Sequence, residues 1–157
     1  MRRILIMIAM TLLLGATVFA VLYRKPAKDV PLSEVEKALE AELAEDSLKK
    51  FGDMKLRRNT GLFSEDYEEI LYYGKDDSMT VECFLLVKSN DEDGAKKAEE
   101  ALRNYVADRI AAFSGYGPTQ VALLEKSVVY ANGRYTALSV SENAGEIVRK
   151  MKSIIEE

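Results

Sequence analysis

Histidine and tryptophan are absent from these 157 residues, cysteine occurs once and proline three times. Without imidazole, the commonest general base and metal ligand is missing. Neither a Ser-His-Asp nor a Cys-His arrangement can be assembled. A single cysteine, Cys83, excludes an intrachain disulfide. No Gly-x-Ser-x-Gly, phosphate-loop or Gly-x-Gly-x-x-Gly pattern occurs. The composition therefore points to no catalytic residue, no cofactor and no metal ligand. The formal charge is −4, from 22 basic and 26 acidic side chains. Arg2 and Arg3 carry the only charges before residue 24, so the remainder holds 20 basic groups against 26 acidic, a net of −6. A surface of that sign repels phosphate backbones, and nucleic acid is not expected as a partner.

One long run contains no charge at all. Ile4–Tyr23 is apolar apart from Thr11, Gly15 and Thr17. Twenty residues at a helical rise of about 1.5 Å span about 30 Å, the thickness of a bilayer core. A helix also satisfies its own backbone, as hydrocarbon requires. The expected organisation is a signal-anchor over 1–23, a short tether over 24–31 and an extracytoplasmic domain over 32–157. Cleavage after Ala20 is the alternative, because Val18-Phe19-Ala20 ends in a small residue. The apolar run continues through Leu22 and Tyr23, which favours an uncleaved anchor. Arg2 and Arg3 favour a cytoplasmic N-terminus, whereas Arg24, Lys25 and Lys28 oppose it.

The domain reads as alternating helices and hairpins. Leu32, Val35, Leu39 and Leu43 recur at helical spacing, with Leu48 and Phe51 extending the stripe toward Gly52. Ser33 and Glu36 have capping-box spacing. Ile70–Tyr73 is β-rich. Met79, Val81, Cys83, Leu85 and Val87 alternate with Thr80, Glu82, Phe84, Leu86 and Lys88; the wholly apolar first set reads as the core face. Asp91 and Asp93 favour a helix start, and Ala95 to Phe113 carries its buried stripe. Pro118–Leu124 suits a short helix with proline first. Two further β-rich runs flank Asn132-Gly133, a strong hairpin signal in which both central residues take positive φ. Asn143 then caps a last helix with its stripe at Ala144, Ile147, Val148, Met151, Ile154 and Ile155. The fold class is α+β: an N-terminal transmembrane helix, then α-ββ-α-ββ-α with a mostly antiparallel four-stranded sheet and helices on one face.

Several of these residues resemble a known family. The hairpin at Met79-Thr80-Val81-Glu82, the stretch Phe113-Ser114-Gly115-Tyr116-Gly117-Pro118-Thr119-Gln120 and the Asn132-Gly133-Arg134-Tyr135 hairpin are similar to the DUF4358 family, over about Val35 to Ile155. The most specific piece is Gly-Tyr-x-Pro-x-Gln, here Gly115, Tyr116, Pro118 and Gln120; Glu82 also fits. The resemblance implies a bacterial envelope protein, mainly of Firmicutes, and brings no activity with it. Many members look like lipoproteins, but no cysteine follows the apolar run here. Some members' genes lie near those for polysaccharide acylation.

The candidate binding residues are Tyr116, Glu82 and Gln120. Glycines flanking Tyr116 let the chain turn sharply and present the ring to a sugar or peptide; alternatively the ring anchors its loop against the sheet. Glu82, within a strand, either lines a groove or faces water beside Thr80 and Lys88. Cys83 reads as an inert core thiol. Lys49, Lys50, Lys55, Arg57 and Arg58, and the acids Glu65, Asp66, Glu68 and Glu69, read as solvated surface. Tyr72, Tyr73, Tyr130 and Tyr135 read as a cross-strand cluster. The expected function is non-catalytic binding of an envelope protein or cell-wall glycan by a domain held at the cytoplasmic membrane through Ile4–Tyr23. The alternatives are an accessory component of surface polysaccharide modification, and a carboxylate hydrolase using Glu82 and Asp66.

Overall fold

The computed structural model describes residues 25–156. The predicted span Ile4–Tyr23 and the cleavage point after Ala20 lie outside the described residues. Among those described, no helix is long and apolar enough to cross a membrane.

In chain order the elements are α1 (Leu32–Glu45), β1 (Lys49–Lys50), α2 (Asp53–Thr60), β2 (Glu69–Gly74), β3 (Cys83–Lys88), α3 (Glu92–Phe113), α4 (Pro118–Glu125), β4 (Val128–Asn132), β5 (Tyr135–Val140) and α5 (Ala144–Glu156). A single 3₁₀ turn occupies Ser64–Asp66. Every strand pairing is antiparallel, in the order β1-β2-β3-β5-β4. The α+β class holds, but the sheet has five strands and not four. The cause lies after α1. That helix stops at Glu45, and Ser47 turns the chain with a positive φ of 56°. Lys49 and Lys50 then pair with Gly74 and Tyr73. Leu48 and Phe51 therefore do not continue the α1 stripe. A two-residue strand is too short to show alternation, and its two exposed lysines blunt the sheet edge. Gly52 precedes α2, where Leu56 is the one buried residue and no apolar stripe marks the helix.

Ser33 does not cap α1, which begins one residue earlier. The Leu32 N–H instead donates to Glu69 Oε2 at 3.2 Å. Asp91 does cap α3, its Oδ1 accepting from Gly94 N–H at 2.7 Å. In the β4–β5 hairpin the central turn residues are Gly133 and Arg134, because Asn132 pairs with Tyr135. Only Gly133 has positive φ (55°), as a type II′ turn needs, so the turn sits one residue later than Asn-Gly implied.

The helices cover both faces of the sheet and not one. On one face, α1 and α5 pack Val35, Leu39, Ile147 and Met151 against Phe84, Leu86 and Ala137. On the other, α2, α3 and α4 bring Leu56, Leu102, Phe113 and Leu124 onto Cys83, Leu85, Leu138 and Val140. This is why Cys83–Val87 is an unbroken apolar run: β3 is central and buried on both sides. Phe84 and Leu86, on the supposed outer face, are fully buried, at roughly 1.5–3 kcal/mol of burial each. Met79 is exposed, and Glu82 precedes the strand. The four tyrosines form no single cluster, since β3 separates β2 from β5 and β4. Tyr72 packs on one face, and Tyr73, Tyr130 and Tyr135 on the other.

The segment expected as a tether lies along the domain. Val30 N–H donates to the Tyr135 hydroxyl, which donates back to the Val30 carbonyl, both at 2.7 Å. Lys28 N–H reaches the Ile155 carbonyl at 2.8 Å, and Asn132 Nδ2 donates to the Lys25 carbonyl at 2.9 Å. Asp29 pairs with Lys88 Nζ at 2.9 Å and with Arg134 at 2.7 Å. Lys88, expected to face water, has a side chain only 5% exposed and also meets Glu68 at 2.8 Å. Glu68 and Glu69 thus neutralise a buried cation, and the chain takes its position from that need.

Candidate functional site

The Lys88 end of β3 is closed by residues 25–31. The opposite end, at Cys83, opens into a cavity of about 220 Å³. Its walls come from the end of α2 (Arg58, Asn59), from Tyr72 and Gly74 of β2, from the β2–β3 loop (Lys75 to Glu82) and from one face of α3 (Tyr105, Arg109). The local sequence explains the opening. Lys75 to Glu82 is polar and bends back on itself, with Asp77 Oδ1 accepting from Met79 N–H at 2.8 Å. Tyr105 and Arg109 are four residues apart, so they project side by side from α3 next to its buried stripe.

The cavity is charged and rich in hydrogen-bonding groups. Lys75 Nζ lies 2.6 Å from Glu82 Oε1, both side chains being half-buried. Asn59 Nδ2 donates to the Tyr72 hydroxyl at 3.1 Å. Arg109 donates through one terminal nitrogen to the Thr80 carbonyl at 3.2 Å, and its guanidinium lies 4.7 Å from the Phe113 ring centre. Its Nε is buried and has no acceptor among the described residues. Burial pushes the Cys83 thiol up to about 12, so it is protonated at any ordinary pH. Burial likewise raises the Tyr72 and Tyr105 hydroxyls above their usual range, so both stay neutral. The cavity therefore offers guanidinium, ammonium, amide and hydroxyl donors, with Glu82 and Asp77 as its carboxylates. Among the described residues no group of three or more Cys, Asp and Glu side chains is placed to hold a metal ion.

Of the predicted residues, Glu82 lines this cavity and Tyr116 and Gln120 do not. Tyr116 is 62% exposed, its ring 5.3 Å from that of Phe113. The Gly-Tyr-x-Pro-x-Gln stretch is the corner between α3 and α4. Gly117 N–H bonds back to the Phe113 carbonyl at 2.8 Å, and Pro118 opens α4. A Cβ at Gly117 would stand 2.6 Å from the Phe113 ring and 3.0 Å from Gln120 Oε1. The corner is linked to the cavity through Phe113, whose ring carries Arg109. The pair Glu82 and Asp66 is not brought together. Asp66 accepts from Asn90 beyond the Lys88 end of β3, whereas Glu82 precedes Cys83 at the other. The six residues of β3 between these ends span about 17 Å, more than the roughly 5–10 Å between paired glycosidase carboxylates. Arg58, Tyr105 and Arg109 were not foreseen; the signal for the last two was a tyrosine and an arginine one turn apart beside the apolar stripe.

Fold and cavity together define a class: an antiparallel α+β domain with a polar recess at the Cys83 end of its central strand. A family model described as a domain of unknown function (DUF4358) matches residues 40–141, and the chain belongs to that family. That span contains every residue lining the cavity. No curated protein and no solved structure matches the chain.

Proposed function

We propose that the chain is a membrane-anchored, extracytoplasmic binding module that receives part of an envelope glycan in the recess at the Cys83 end of β3 and performs no chemistry on it. The observation that carries this reading is the lining of that recess. Donors and carboxylates surround it, as suits the hydroxyls of a sugar, and its bulk is set by rigid elements on three sides. At about 220 Å³ it is smaller than the roughly 300–1,000 Å³ of sites that enclose a drug-sized molecule, so it suits an end group. The apolar anchor pocket typical of a protein hot spot is missing from that lining. The anchor rests on the charge-free length of Ile4–Tyr23.

Two measurements on the full chain test this. Met54 is 82% exposed and Cys83 is fully buried, so Met54→Cys provides one reactive thiol. A membrane-impermeant maleimide should label it in intact cells; labelling only after lysis overturns the outside location. Soluble cell-wall fragments titrated into the chain in detergent should shift resonances of residues 74–82 and 105–109. Binding that leaves those resonances unmoved places recognition elsewhere.

A further inference from the structure

Among the described residues the cations of this chain are mostly matched by acids. Lys88 has three carboxylates within reach, Arg134 two, and Lys50, Lys55, Lys75, Lys150 and Arg103 one each. Several cations among the described residues have no such partner, Lys49 and Lys97 among them, and of these Arg58 and Arg109 share one recess. Arg58 donates from Nε to the neutral Asn59 Oδ1 at 3.3 Å, and Arg109 to the Thr80 carbonyl. Neither has a carboxylate within 4.0 Å among the described residues, although the chain carries more acids than bases. Both line the same recess. Arg109 is fixed there by Phe113, with a buried N–H left unanswered. A buried unpaired donor costs about 1–3 kcal/mol, more when it is charged, so the Arg109 guanidinium is held in this place at a cost.

We infer that the recess is an oxyanion site, built for a phosphate group carried on a larger molecule and gripped by Arg109 and Arg58. The guanidinium fork matches the spacing of phosphate oxygens and offers parallel N–H donors. Two arginines match a dianion, and the neutral Tyr72 hydroxyl adds a third donor. Lys75 is held by Glu82, so the two cancel at the rim, and against Asp77 the two arginines still leave the lining net positive. This inference rests on the reading of the recess as a ligand site and names the group it takes.

The test is a resonance titration of the full chain in detergent at constant ionic strength. The probes are inorganic phosphate, glycerol 1-phosphate, acetate and dephosphorylated cell-wall fragments. Both phosphate probes should give saturable shifts at residues 74–82 and 105–109, and acetate should give none. Arg58→Gln, on the exposed side of α2, and Arg109→Lys, which keeps the charge and loses the fork, should each weaken phosphate at least tenfold with the thermal midpoint within a few degrees. The absence of a saturable shift with either phosphate, an equal response to acetate, or indifference to both substitutions overturns the inference. If phosphates fail while the dephosphorylated fragments still bind, the recess remains a ligand site and only the phosphate assignment falls. If all four probes fail, both fall.

Discussion

Replacing Tyr135 by phenylalanine removes one oxygen and nothing else. The ring stays, so no cavity opens. What goes is a reciprocal pair of 2.7 Å hydrogen bonds to the N–H and carbonyl of Val30. Both residues are buried, at 2% and 9% exposure. An intramolecular hydrogen bond contributes about 1 kcal/mol net, and a buried partner left unmatched raises the cost to about 1–3 kcal/mol. Water can reach the rim at Val30, so the two losses together come to about 2–3 kcal/mol. For a domain of this size that is roughly 6–12 °C in Tm. Far-UV circular dichroism on the full chain in detergent gives the midpoint, and hydrogen exchange gives the place. The Val30 amide should exchange much faster, while amides in β3 slow or quicken only with global stability. A loss below about 0.5 kcal/mol with unchanged Val30 exchange would falsify the claim that this hydroxyl holds residues 25–31 in place.

Acid should release the same segment. Hydrogen bonds from Lys88, then its charge and that of Arg134, hold the Asp29 carboxyl below its usual range, and hydrogen bonds from Lys88 and Arg134 do so for Glu68. Carboxylates depressed in the fold add stability above their unfolded pKa of about 4 and lose it as pH falls through the folded value. Val30 exchange, corrected for intrinsic rate, should therefore be flat from about pH 8 to 5 and rise below about 4; a rise already at pH 6 contradicts the pairing. At the other limit, burial alone would depress the Lys88 ammonium, but hydrogen bonds to Glu68 and Asp29 outweigh it and raise the group, so this contribution persists until pH climbs past about 10.5. The Cys83 thiol should resist Ellman's reagent in the folded chain and react fully in denaturant; stoichiometric reaction without denaturant within minutes shows the thiol to be accessible. Gly117→Ala should cost about 1–3 kcal/mol, because the Phe113 ring that meets the new methyl is fully buried and cannot yield, and it should disturb Arg109 resonances through that ring; a neutral effect on both means the corner is looser than its geometry states.

Periodicity made the long helices legible. The α3 and α5 stripes are buried largely as spaced, and the two hairpins stand where β-rich runs met turn residues. What escaped was set by tertiary partners. Nothing local marks Lys49–Lys50 as a strand; it is one because Tyr73 and Gly74 lie alongside. Alternation in Met79–Lys88 suggested one wet face, yet a central strand between two helical layers has none. Lys88 looked like surface because a lone lysine cannot announce three distant carboxylates. The site divided similarly. Glu82 was found from its place among apolar neighbours, whereas Arg58 and Arg109, 51 positions apart, meet only through the fold. Tyr116 and Gln120 stood out through their motif, and the motif proved to shape a corner.

The attachment of residues 25–31 also says what length of polypeptide can stand alone. The family match, 40–141, begins inside α1 and stops before α5. A fragment trimmed to those limits would strip one whole side of the sheet, leaving Phe84, Leu86 and Ala137 facing solvent. It would also deprive Lys88 of Asp29. A piece that keeps these contacts needs Asp29 and Val30 ahead of α1 and the buried face of α5 after the match, so the recognisable signature is shorter than the object that packs together.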